Sequence, residues 1–199
     1  MDSQSLLAVS LVSTHNRSRT LEEQFSNKLT RAVGIVTSYS GSTVAAGSTV
    51  ITVTANTGIG VSDIIDNGNF IFGTKVQQIV GTTIYADRAS TNTASATSQV
   101  VRFLGPTTAY TSPAATKSIL IGGTFANNTG NSINLFVETY DQSTAVGVGI
   151  AQKIPVPSGS SFVISDTGKT LLEASDELRV YCDTADAVDV NLSILTGVS

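Results

Sequence analysis

From about residue 41 onward, apolar and polar residues alternate in short runs separated by Gly, Asn, Asp, Ser and Thr. Period-two alternation bounded by turn residues predicts half-buried antiparallel strands. The C-terminal hairpin is the clearest case. Leu178, Val180 and Cys182 alternate with Arg179, Tyr181 and Asp183; after Thr184-Ala185-Asp186-Ala187, Val188, Val190, Leu192 and Ile194 alternate with Asp189, Asn191 and Ser193. Each such strand offers one apolar face to a core and one polar face to water or a partner.

The pattern divides the chain into three parts. Residues 106–199 open at Gly105-Pro106 and carry strands expected over 117–125, 132–140, 146–153, 161–164, 170–172, 177–182 and 188–195. Their even spacing predicts a mainly β unit, an antiparallel β-sandwich of jelly-roll or immunoglobulin-like type. Residues 41–105 read as a small β-module, with strands over 49–54, 70–72, 75–80, 82–85 and 99–104 and a link over 59–65. Residues 1–40 differ. Leu6 to Val12 suits a strand, and Thr20 with Glu23 forms a capping box before an amphipathic helix over about residues 20–33. Its apolar stripe, Leu21, Phe25 and Leu29, is the candidate protein-interaction site of an N-terminal docking arm, because so short an amphipathic helix needs a surface to lie on. That surface is either the chain's own β-structure or another protein.

Composition narrows the partners. Charged residues are only 13% of the chain, about half the usual ~25%, so electrostatic protection against association is weak. Unpaired strand edges on such a chain point to a homo-oligomer, a trimer or higher. Net charge is −4 and the basic residues are scattered singly, which argues against nucleic acid and anionic membrane as partners. The short run Leu6-Leu7-Ala8-Val9 follows Asp2 and fits neither a signal peptide nor a membrane span. The single cysteine, Cys182, excludes an internal disulfide and falls on the apolar side of its strand.

Catalytic chemistry finds little support. His15 is the only histidine, and nucleophilic triads need one near a scaffold. Asp63-Ile64-Ile65-Asp66-Asn67-Gly68-Asn69 gathers oxygen ligands but fails the calcium-loop spacing and reads as a polar turn. Among the carboxylates Glu138, Asp141, Glu173 and Asp176, nothing singles out a pair for glycoside hydrolysis. No metal and no cofactor is therefore expected. Tyr39, Tyr85, Tyr110, Tyr140 and Tyr181 are the candidate rings for sugar binding, with Tyr181 on the outer face of its strand.

The C-terminal part resembles a β-sandwich module of virion structural proteins from tailed bacteriophages, particularly phages of cyanobacteria. The stretches that carry the likeness are 118–123 running into 126–130, then 154–161, 171–180 and 187–193. Residues 47–93 look like a second small module of such proteins, Gly81-Thr82-Thr83-Ile84 being its most typical stretch. The resemblance implies a non-enzymatic structural component of a virion, made in the host cytoplasm and contacting other virion proteins. With the arm, it points to a tail, neck or fibre-attachment position. The alternatives are a capsid cement or decoration protein, or an adhesive module that recognises a host-surface glycan through the loops of the sandwich.

Overall fold

The computed structural model describes residues 24–165 and 169–198, and there every regular element is a strand. In chain order these are β1 (Gln24–Val33), β2 (Ile35–Val44), β3 (Val50–Thr52), β4 (Ile64–Asp66), β5 (Val76–Val80), β6 (Thr83–Ala86), β7 (Ala96–Gly105) and β8 (Thr107–Thr111). Then follow β9 (Lys117–Asn127), β10 (Ile133–Asp141), β11 (Val146–Val156), β12 (Ser161–Ile164), β13 (Thr170–Leu172), β14 (Glu177–Cys182) and β15 (Val188–Val198).

They form three antiparallel sheets. The first has the order β1-β15-β9-β12, with β13 also pairing β9; the second runs β11-β10-β14-β8. Leu120, Phe125, Leu192 and Ile194 of the first sheet share one buried cluster with Leu135, Val137, Leu178, Val180 and Cys182 of the second. The alternation read in the last hairpin thus points inward as expected, because only one face of each strand meets the opposing sheet. The pairing is nested. The first strand of this two-sheet unit pairs with the last (β1 with β15), the second with the one before it (β8 with β14), β9 with β12 and β13, and β10 with β11.

The third sheet, β4-β7-β2-β3-β6-β5, is inserted between β1 and β8. A bridge between Ile64 and Lys75 brings its two ends together, so it curls around a core of its own that includes Val44, Ile51, Ile65, Phe70, Val76, Ile84, Val101 and Phe103. The chain crosses into this unit at Gly34 and leaves it at Gly105-Pro106, and the two crossings touch, since Ile35 pairs with Gly105. Gly34 has φ +139°, and a Cβ there would strike the carbonyl oxygen of Thr184. Only glycine fits so tight a crossing.

The N-terminal expectation is corrected. Within the helix expected over residues 20–33, residues 24–33 form strand β1, while residues 20–23 lie outside the described residues. A spacing of four is a multiple of two, so Phe25 and Leu29 fall on one face of a strand as readily as on one face of a helix. Pairing with β15, from Gln24 opposite Thr196 to Thr30 opposite Val190, gives this segment a partner within the fold, whereas a helix of that length without one is marginal in water. Of the expected arm, residues 35–40 belong to β2 of the third sheet. Residues 70–72, expected as a strand, are instead turns that bury Phe70 and expose Ile71 and Phe72.

Candidate interaction surfaces

The outer faces of the first and second sheets have opposite fates. On β10 and β14 of the second sheet, alternation turns Phe136, Glu138 and Tyr181 away from the shared core. All three are nonetheless buried, because Ile64, Leu104 and Val36 of the inserted unit pack on Phe136 and Tyr181. The expectation of Tyr181 as an exposed ring is thereby overturned: it is fully buried.

Burying polar groups on that face requires partners. Lys75 Nζ lies 2.7 and 2.5 Å from the two carboxylate oxygens of Glu138, and Tyr181 donates its hydroxyl to Glu138 at 2.6 Å. Burial and the adjacent Glu138 charge push the Tyr181 phenol far above its ordinary range, so it stays a donor. A second group sits beside the first. Asp66 accepts from Arg102 and from Lys153 at 3.0 Å, and Arg102 also donates to the backbone oxygen of Asp183 at 3.3 Å. Lys75–Glu138, Lys153–Asp66 and Arg102–Asp183 cross from the inserted unit to the two-sheet unit and fix how one sits on the other, while the Arg102–Asp66 pair braces β7 against β4 within the inserted unit. Sequence reasoning missed them. The available signal was Glu138 itself, a carboxylate directly after the apolar run Leu135-Phe136-Val137 in the middle of its strand.

The outer face of the first sheet is uncovered. Register places Leu195 opposite Ile119, and Ile119 opposite Leu171, in one row across β15, β9 and β13. A second row runs Leu29, Asn191, Thr124, Val163 across β1, β15, β9 and β12. Leu29 is 73% exposed, Val163 56% and Leu171 50%. Between them Thr124, Ala126 and Asn191 line a shallow groove of about 340 Å³ with Leu29 at its rim. Charges stay at the ends and are matched there: Arg31 lies 4.0 Å from Asp189, and Lys117 3.0 Å from Glu173.

Of the predicted interaction residues, Leu29 stands on this face, the backbone of Phe25 pairs with Leu195 beside it, and Leu21 lies outside the described residues, as does His15. Cys182 is fully buried in the shared core, and burial pushes its thiol up to about 11. Among the described residues no group of three or more His, Cys, Asp or Glu side chains is placed to hold a metal ion. Asp63 and Asp66 of the candidate calcium loop serve the fold instead, Asp63 accepting from the Gly60 amide at 2.7 Å. The tyrosines divide: Tyr39 donates to the Thr57 carbonyl, Tyr110 hydrogen-bonds Ser118 in the interior, and Tyr140 lines an open cleft.

No protein-family model matches the sequence, and no curated protein matches it.

Proposed function

We propose that the chain is a non-enzymatic structural component of a tailed-phage virion, set at the tail, neck or fibre attachment and docked on a neighbouring subunit through the outer face of its first sheet. The observation that carries this reading is the nested pairing of the two-sheet unit, first strand with last and inward to β10 with β11. We read that order as a jelly roll, an architecture recurrent in viral capsid and lectin domains. The link from fold to role is an analogy. The open face gives it a physical basis. Its centre is uncharged and partly apolar while both charged pairs sit at its ends, the composition expected of a contact surface rather than a solvated one.

Burial of Leu29, Leu171 and Val163 at ~25 cal/mol per Å² contributes a few kcal/mol per copy. Repetition around a symmetric assembly, a homo-oligomer in this reading, raises that modest contact to stable attachment. Leu29→Asp puts a charge at an already exposed position on the edge strand of the face, so folding is retained. In particles assembled with that variant, the expected result is loss of the protein from the purified virion. Incorporation at the wild-type level would exclude this face as the docking surface.

A further inference from the structure

The inserted unit and the second sheet enclose a cleft of about 410 Å³, within the ~300–1,000 Å³ of small-ligand sites. One wall carries Val61, Ser62, Gln77, Asp87 and Arg88; the other carries Tyr140 and Val146 from the β10–β11 hairpin. Lys75, paired with Glu138, lines the cleft together with Gly147, where a Cβ would come within 2.5 Å of Lys75 Nζ and 2.7 Å of Glu138 Oε2, so any larger residue would collide with the pair.

We propose that this cleft binds a neutral saccharide. Three observations define that ligand class. First, the charges cancel: Lys75 is neutralised by Glu138, and Arg88 lies 4.0 Å from Asp87. No net charge remains to capture a phosphate, a sulfate or a carboxylate. Second, hydrogen-bonding groups are free. Among the described residues, the side chains of Ser62 and Gln77 make no hydrogen bond within the protein, while Asp87 and Arg88 add an acceptor and donors at the surface. Third, apolar surface stands beside them. Val61 is 59% and Val146 52% exposed on opposite walls, and the Tyr140 ring is held by the Arg179 guanidinium 3.3 Å from its centroid. A pyranose presents this same mixture, hydroxyls around its rim and C–H groups on its faces.

The site is also preformed. Its walls belong to different units, and the ion pairs Lys75–Glu138, Lys153–Asp66 and Arg102–Asp183 join those units, so binding spends little on ordering the protein. The cleft lies on the opposite side of the two-sheet unit from the open face, and neither inference depends on the other.

The test is a glycan array probed with the purified full-length chain, followed by calorimetric titration of the strongest neutral oligosaccharide. The expected result is binding to neutral glycans that changes little between low and physiological salt. It should weaken at least tenfold in the double variant Gln77→Ala/Arg88→Ala and again in Val61→Asp, and persist in Leu29→Asp. Thermal midpoints near wild type show that the variants fold. Absence of binding to every glycan, binding unaffected by the cleft variants, or salt-sensitive binding confined to sialylated or sulfated glycans would each overturn the proposal.

Discussion

The outer faces of the two sheets alternate in the same way in sequence and end in different surroundings. On the second sheet that face is sealed by the inserted unit, and its polar side chains form ion pairs and hydrogen bonds that tolerate little change. On the first sheet it remains open, its few charges matched at the ends. Alternation fixes which side chains leave the core; it does not tell what they meet. A buried carboxylate such as Glu138 and an exposed leucine such as Leu29 are each what alternation alone would place the other way round.

The comparison can be broken most strongly at the sealed face. Phe136→Ala should destabilise the chain by about 3–5 kcal/mol, because the ring fills the space between two units and its loss leaves a cavity. Denaturant unfolding measures it, and a cost near zero would mean the inserted unit does not rest on the second sheet. Glu138→Ala should cost about 3 kcal/mol, since it leaves a largely buried ammonium and a buried phenol without their acceptor. The double variant Lys75→Met/Glu138→Leu removes both charges and should recover most of that loss. A double variant as unstable as the single one would show that the pair supplies net stability rather than orientation.

A smaller effect belongs to the rim, at the β10–β11 turn. Hydrogen bonds from the hydroxyls of Ser143 and Thr144 hold the Asp141 carboxyl down at about 2. A carboxyl lowered in the folded state contributes stability above its ordinary value of about 4, and loses it as pH falls towards 2. Amide-exchange protection of Ser143 and Thr144, whose backbone N–H groups also donate to Asp141, should therefore fall between pH 4 and 2. Unchanged protection there would contradict the assignment. The smallest stability effect is expected on the open face, where Leu29→Asp should change unfolding free energy by no more than about 0.5 kcal/mol.

Much of the architecture was legible in the chain. The strands expected over 161–164, 170–172 and 177–182 coincide with β12, β13 and β14, because alternation and turn residues there agree. β1 was read as a helix because Leu21, Phe25 and Leu29 satisfy both periods and the deciding partner, β15, lies more than 150 residues away. β8 was missed since Thr107-Thr108-Ala109-Tyr110-Thr111 follows a proline and lacks a strong apolar run. The insertion of one unit into the other left no local mark beyond Gly34 and Gly105, and the ion pairs at the junction join residues up to 87 positions apart. Such pairings follow from topology, which a single sequence does not display.

The most direct measurement is immunogold electron microscopy of purified particles from the source that encodes the chain, with an antibody raised against the folded protein. The proposed function predicts label at the neck, the tail or the fibres. Label confined to the head shell would make the protein a capsid decoration. Particles that carry no label and no trace of the chain by mass spectrometry would contradict the virion reading outright.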